Sequence, residues 1–585
     1  MKLSLAIVIG LVASVPDATT TSYEVHEKRE FTNPVWVSLD IELNRREIVP
    51  VSIGLTQQNL DNGHEYLMDV SDPISPNYSS HWTPERVAEG FAPSQETIEP
   101  VKAWLVEHGI AEDRLSLSKG SGWIKFNSTV GEVEDLLKTK YELYEHSESR
   151  RAHLACHDYS VPASIRAHID FITPTIHFDA VVTEPKKKRQ FPESVVAPIR
   201  SSSIDIPSQI KQGPALKISS FGATPQASQF TLANCNSYIT PDCLRALYGF
   251  LPGTLANHLL ELWNIHLRPC FEYAIALVYP QKVTLYQVGD IVEGGSFNTF
   301  PDALDLTYCT SGGGDTPGID PSYPDAYSGG TKACGTITPA SVISTSYGYN
   351  EADLSPAYAT RQCNEYMKLG LQGITILYSS GDNGATLQRG AAGMFNPSFP
   401  STCPYITSVG ATHIAAGNPV TAPEQACMNV IYSGGGFSNL LCIAELQSTV
   451  VAHYLRDYKP SYSSTQYNNS KKQRGYPDIS ANGANYLTYV DGVAQLVFGT
   501  SASSPTVGAI ITLINEQRAN VGKKPVGFIN PVLYENPGAL NDITVGTNPG
   551  VGRAGSVLRR VGYDPVTGLG TPNYPKLLSV FMALK

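Results

Sequence analysis

The sequence predicts two folded units of different class: a small α+β sandwich, followed by a larger α/β domain built on a parallel sheet. Three observations carry this. The 585 residues are too many for one hydrophobic core. From about residue 19 to 185 the chain is richer in charge, and amphipathic helices alternate there with short strands. From about residue 214 it turns Gly-, Tyr- and Ser-rich, with short apolar runs between turns and helical stretches. Strands buried on both faces of a parallel sheet have that pattern.

Met1-Lys2 precedes the apolar run Leu3 to Ala13, and small residues follow to Ala18. Residues 1–18 therefore read as a signal peptide, too short to span as a mature anchor. No other apolar run is long enough to cross a membrane, so a soluble, secreted protein is expected. A formal charge of −11 argues against nucleic acid as a partner. The ten cysteines fit an oxidising compartment and form no zinc-type Cys-x-x-Cys pairs. Cys235 with Cys243, and Cys309 with Cys334, are candidate pairs, although pairing cannot be derived from spacing. Asn77, Asn127 and Asn468 each stand two before a serine or threonine, as glycosylation acceptors do.

In the first unit, Val101, Trp104 and Leu105 have helical spacing, and so do Val133, Leu136 and Leu137. Thr129 to Glu132 fits a capping box at the start of the second helix. Trp123-Ile124-Lys125-Phe126 alternates like a strand, and Tyr141 to Tyr144 reads as another. Strands with two helices suggest a ferredoxin-like arrangement. Its polar residues read as a solvated face. Lys186-Lys187-Lys188-Arg189 is either a processing site or a solvated charge run. Residues 190–213 are Ser/Pro-rich, so 186–213 reads as a linker and processing region.

In the second unit, residues 274–279, 283–288, 342–347 and 374–379 read as buried strands, with a helix from Tyr358 to Leu369. Active sites in parallel sheets lie beyond the carboxyl ends of the strands. That draws attention to Ser379-Ser380-Gly381-Asp382-Asn383-Gly384, where Asp382 is either a turn residue or a site acid. Gly499-Thr500-Ser501-Ala502-Ser503-Ser504-Pro505 precedes an apolar run that reads as a buried helix. Pro505 suits a first helical position, and Ser503 or Ser504 can cap the amides behind it. Ser501 is then placed just before a helix N-terminus, where free amides and the helix dipole favour negative charge. A serine attacking a carbonyl needs that environment. An ordinary Ser-rich helix cap would have the same spacing. Asp542 and Asp564 lie on Gly-rich loops with exposed carbonyls between them. These loops are either plain turns or an all-oxygen site suited to calcium.

Gly499 to Pro505 resembles the nucleophile signature of the subtilisin-like superfamily, and in its fuller form that of the acid-acting branch, the sedolisins or serine-carboxyl peptidases. A subtilisin needs a histidine followed by glycine. After residue 213 only His258, His266, His413 and His453 occur, and none is followed by glycine. In sedolisins a glutamate replaces the histidine, and a carboxylate base suits acidic pH. Asp72 to Tyr78, His81-Trp82-Thr83-Pro84-Glu85 and Phe91 to Ser94 are similar to the sedolisin activation propeptide. This implies an inhibitory prodomain that assists folding, with His81 and Trp82 as packing residues. The resemblance of Ser379 to Gly384 implies that Asp382 is protonated and donates to the oxyanion, a role open to a neutral carboxyl. Residues 342–348, 395–400, 433–438 and 477–481 match as fold-defining segments. The family's single calcium site implies Asp542 and Asp564 as ligands, with the carbonyls of Ile543, Arg560 and Gly562.

The family's base and supporting acid come from a Glu-x-x-x-Asp helix that ends in a tyrosine and an apolar run. Tyr273-Ala274-Ile275-Ala276-Leu277 matches that end. Counting back, the base position falls on His266 and its partner on Cys270, and neither is a carboxylate. Glu272 belongs to another helical face. Residues 257–270 have no family character and stand where the family has a longer segment; Leu440 to Leu446 is a second odd patch. A faulty gene model and a degenerate homologue both account for this. The expectation is a subtilisin-like parallel-sheet α/β peptidase domain (214–585) preceded by an α+β ferredoxin-like prodomain (19–185). Its function would be that of a secreted, acid-acting serine-type tripeptidyl peptidase made as a zymogen. Its partners would be peptide substrates and its own propeptide, with no nucleic acid or membrane partner, and it would be a monomer. The alternative is an inactive sedolisin-fold binding protein.

Overall fold

A computed structural model of the chain describes residues 22–29, 36–118, 120–146, 152–178, 181–182, 219–220, 230–254, 259–263, 268–286, 300, 304, 338–385, 395–458, 463–490, 493–550, 553–558 and 562–585. Residues 1–18, expected as a signal peptide, the Lys186 to Arg189 cluster, His266, Cys309, Cys334 and Arg560 lie outside the described residues.

The first unit holds a four-stranded antiparallel sheet made of β1 (Ile48–Leu55), β2 (Ser116–Leu117), β3 (Trp123–Thr129) and β4 (Ile169–Thr173), in the order β2-β3-β1-β4. Two helices pack on it, α1 (Gln95–Glu107) and α2 (Val130–Leu137). Val101 and Leu105 of α1 and Val133, Leu136 and Leu137 of α2 share a core with Val51, Ile53, Ile124 and Phe126 of the strands. The strand order and the two helices are those of the expected ferredoxin-like unit. The capping box also forms: Glu132 N–H donates to Thr129 Oγ1 at 3.2 Å, and Thr129 N–H to Glu132 Oε2 at 2.7 Å. That satisfies two amides that the helix start would otherwise leave open.

The second unit is built on β5 (Leu259–Trp263), β6 (Lys282–Tyr286), β7 (Val342–Thr345), β8 (Thr375–Ser379), β9 (Thr407–His413) and β10 (Ile479–Asn482). They run parallel in the order β6-β5-β7-β8-β9-β10, and Gln425–Ala426 adds a short antiparallel strand beside β9. Within the stretch 257–270, Leu259 to Trp263 pairs on both sides inside the sheet.

Of residues 274–279, expected as a strand, 274–278 belong instead to α3 (Arg268–Val278) and Tyr279 to the turn after it. A short apolar run fits either element. Tyr273, Ala274, Leu277 and Val278 are buried while Glu272 and Ile275 are exposed, which is helical periodicity. Tyr273 anchors the helix by donating to the carbonyl of Ile239 or Leu487, at 2.5 and 2.8 Å. α5 (Thr500–Asn520), buried along nearly its whole length, packs on the sheet face that carries Val342, Leu377 and Val409, and α4 (Pro356–Leu371) packs on the opposite face, with Ile343, Ile376 and Tyr378. Cys235 and Cys243 form the disulfide expected for one candidate pair, and Cys363 with Cys403 forms another.

The first unit docks on α4. Arg361, fully buried, donates to the Leu55 carbonyl (2.8 Å), Asp170 (2.6 Å) and Glu365 (2.9 Å). Leu67, Val70 and Phe91 pack against Met367, Leu371 and Phe528. Trp82 N–H donates to the Leu371 carbonyl at 2.8 Å, and a Cβ on Gly373 or Gly527 would collide with the His81 ring. His81 and Trp82 are therefore packing residues, as expected.

Candidate active site

The strands β7 and β8 are parallel neighbours, with Thr345 opposite Tyr378. Their carboxyl ends lead into Ser346 and into the 379–384 loop, and α5 begins at the same edge. Asp382 and Ser501, separated by 119 positions, are brought together there. The contact runs through Thr500. Its N–H donates to Asp382 Oδ1 at 2.7 Å and its hydroxyl to the same oxygen at 2.9 Å, while Gly381 N–H donates to Thr500 Oγ1 at 3.1 Å. Asp382 and Ser501 are both buried, at 3% and 2% exposed.

This clasp corrects the expected helix start. α5 begins at Thr500, not at Pro505, so Ser501 is the second helical residue and Pro505 lies inside the helix. Asp382 accepts the Thr500 amide as an N-cap side chain would, but from another element. Ser503 and Ser504, expected as caps, bond elsewhere: Ser503 Oγ donates to the Asn482 carbonyl at 3.1 Å, and Ser504 Oγ pairs with Ser344 Oγ at 2.8 Å. The environment inferred for Ser501 is kept, since the helix N-terminus begins one residue before it.

A second loop fixes the Asp382 turn. Tyr432 N–H donates to the Asp382 carbonyl at 3.0 Å, and Gly434 N–H to the Gly381 carbonyl at 2.7 Å. Glycine is required at 434 because a Cβ would overlap the Ser380 carbonyl, and at 435 because it would overlap that of Pro565. Ser433 Oγ donates to the Val566 carbonyl at 2.6 Å. The Asp564 loop thus buttresses the loop that holds Asp382.

The remaining expected positions divide. The backbone carries Cys270 in the first turn of α3, which follows β5 at the same sheet edge. Glu272 on that helix is exposed. In the Leu440 to Leu446 patch Leu441 is buried, and just before it the buried Glu351 carboxylate receives the Ser438 hydroxyl and, at 2.6 Å, the Asn439 amide.

At the far end, Asp542 Oδ2 accepts Gly562 N–H at 3.0 Å. Asp564 accepts Val566 N–H (2.8 Å), Thr567 N–H (2.9 Å) and the Thr567 hydroxyl (3.0 Å). Burial pushes the Asp564 carboxyl up to about 7, against these donors and with the Asp542 charge adding to it. Burial raises Asp542 too, and its Oδ1 is buried without a hydrogen-bond partner. Two crowded carboxylates with an unsatisfied oxygen suit a hard cation. Ile543 is buried beside them. Among the described residues no cluster of three or more His, Cys, Asp or Glu side chains forms a metal site.

Sequence reasoning missed Thr500 and Ser346. Thr500 sits in the quoted motif and Ser346 at a strand end, but their partners are distant in sequence.

Residues 37–178 match the family described as Pro-kumamolisin, activation domain, and residues 322–530 the Subtilase family. Aorsin of Aspergillus oryzae is 37% identical over 667 residues, covering 98% of this chain and 98% of the relative. Tripeptidyl-peptidase sed1 of Aspergillus fumigatus is 37% identical over 660 residues, covering 100% and 99%. Both alignments are longer than the 585 residues present, so these relatives carry internal residues without a counterpart here. A solved Pseudomonas sedolisin (serine-carboxyl proteinase) is 18% identical with a TM-score of 0.43, covering 60% of this chain and 99% of that one.

Proposed function

Because this chain belongs to the sedolisin family of serine-carboxyl peptidases, we propose that it is secreted as a zymogen and hydrolyses peptide bonds at acidic pH through an acyl-enzyme on Ser501, releasing tripeptides from N-termini. One observation carries the reading: Asp382 is clasped to Thr500, next to Ser501, at the start of a buried helix. Ser501 Oγ bonds to the scissile carbonyl carbon as its proton leaves to a base. Asp382 Oδ1 already accepts two hydrogen bonds, so a neutral carboxyl there carries its proton on Oδ2. That proton is the one available to the developing oxyanion. The proton taken from Ser501 is returned to the leaving amine, and water then cleaves the ester.

One structural calcium ion belongs to this reading, held by the Asp542 and Asp564 side chains with the carbonyls of Ile543, Arg560 and Gly562. It would neutralise the paired carboxylates and take no part in the chemistry. Among the described residues no helix is long and apolar enough to cross a membrane.

A second reading, a sedolisin-fold protein that binds without cleaving, rests on His266 and Cys270 standing where the base and its partner are expected. Removing a nucleophile's base costs several orders of magnitude in rate. Tripeptide release between pH 3 and 5, around the unperturbed carboxyl pKa of about 4, separates the two. It is measured on this chain and on a transcript that restores Glu-x-x-x-Asp before Tyr273. The restored product should be active and Ser501→Ala dead, whereas this chain should be nearly inactive. If Ser501→Ala keeps activity in the restored product, the acyl-enzyme reading is wrong.

A further inference from the structure

Pro505 is the sixth residue of α5, and a proline inside a helix leaves the carbonyl four residues earlier without its amide donor. That carbonyl belongs to Ser501. The proline ring also crowds it and turns it off the helix axis. A buried carbonyl needs a partner, and one is present: Ser346 Oγ donates to the Ser501 carbonyl at 3.3 Å. Ser346 follows β7 directly and is itself buried. Ser344, two residues earlier and so on the same side of the chain, pairs with Ser504 Oγ at 2.8 Å. The tip of β7 therefore grips the first turn of α5 at two points, one of them the peptide group of Ser501.

We infer that Ser346 is a positioning residue for the nucleophile, its hydroxyl replacing the amide that Pro505 cannot supply to the Ser501 carbonyl. An amide from within the helix would draw that carbonyl onto the helix axis. A hydroxyl from the sheet ties it to the strand end where the substrate carbonyl must lie. Ser346 touches neither substrate nor the reacting atoms; it sets the rotation of the Ser501 peptide. The inference rests on the reading of Ser501 as nucleophile.

The test makes Ser346→Ala, Pro505→Ala, the double variant and Ser346→Thr, which keeps the hydroxyl, in this chain for melting and in the product with the restored Glu-x-x-x-Asp helix for labelling. One readout is the melting temperature, which needs no catalysis. The other is the rate at which a fluorophosphonate labels Ser501, located by peptide mass. Labelling forms an Oγ–P bond and expels fluoride, with the serine proton going to solvent. Ser346→Ala should slow labelling about tenfold or more, the loss expected when a buried hydrogen bond to the Ser501 carbonyl is removed. Ser346→Thr should label at close to the unsubstituted rate. In the Pro505→Ala background the helix regains its amide, so removing Ser346 should have little further effect on either labelling or melting. Equal losses from Ser346→Ala in both backgrounds, or unchanged labelling in Ser346→Ala, would overturn the inference. If the restored product itself is not labelled at Ser501, the nucleophile reading fails by itself. The melting cycle then still decides whether the hydroxyl stands in for the missing amide.

Discussion

Asp382 divides its work between its two oxygens. Oδ1 holds the Thr500 amide and hydroxyl, and only a protonated Oδ2 can donate to an oxyanion. Asp382→Ala removes both functions. It should lower kcat of the active product by about 10²–10³, the usual loss for an oxyanion donor. Asp382→Asn keeps a carbonyl for Thr500 and an N–H₂ for the oxyanion, so it should lose less. Its activity should also decline less steeply as pH rises, because an amide has no proton to surrender. A pH–rate profile of the two variants checks this; an Asn variant that tracks the native profile would remove Asp382 from the acid role. Thr500→Val, which deletes one of the two bonds to Oδ1, should raise the cost of holding the turn by about 1–3 kcal/mol through the unpaired groups left behind. Chemical denaturation reads that change directly.

At the scale of elements, the Asp564 loop, the 432–436 loop and the Asp382 turn form one stack, joined by Ser433 to Val566 and by Gly434 to Gly381. A calcium ion that binds only the folded stack raises stability by mass action. The native melting temperature should therefore climb with calcium, and Asp564→Ala should melt lower in calcium buffer and lose that dependence. A variant melt that still responds to calcium would rule the site out. What the sequence made legible follows the same division between local and distant partners. The Thr129/Glu132 capping box was readable because both halves lie within four residues. The start of α5 was not, because its cap is Asp382, more than a hundred residues away. Residues 274–279 were misjudged because an apolar run of that length serves a helix as well as a strand, and only the exposed Ile275 and Glu272 show which. The motifs around Asp382 and Ser501 were legible as chemistry, but the two residues that hold them, Thr500 and Ser346, act through contacts no spacing reveals.

For the whole molecule, the junction between activation domain and peptidase domain buries histidines. His177 lies between Phe171 and Tyr358, with Arg29 nearby and Glu27 3.9 Å away, and burial pushes it down to about 3. His81 packs on Gly373 and Gly527, with Lys524 and Arg518 facing it, and burial pushes it down to about 4. Both have docked values below the free value of about 6.5. The undocked or unfolded state therefore binds the proton first, and the stability they contribute is complete above pH 6.5 and lost as pH falls toward 4 and 3. Glu27, raised by burial, works in the opposite sense, gaining stability as pH falls through its raised value. The zymogen melt should fall between pH 6.5 and 4, and His81→Gln with His177→Gln should flatten that fall. An unchanged slope in the double variant would remove the histidines from the account.

The central claim is that Ser501 carries the acyl group. Its most direct test is acid quenching of the product with the restored Glu-x-x-x-Asp helix during turnover of an activated ester at pH 4, followed by peptide mass mapping. The account predicts one acyl group, on the peptide containing Ser501, and none in Ser501→Ala. An acyl group on any other residue, or turnover by Ser501→Ala at the native rate, would contradict it.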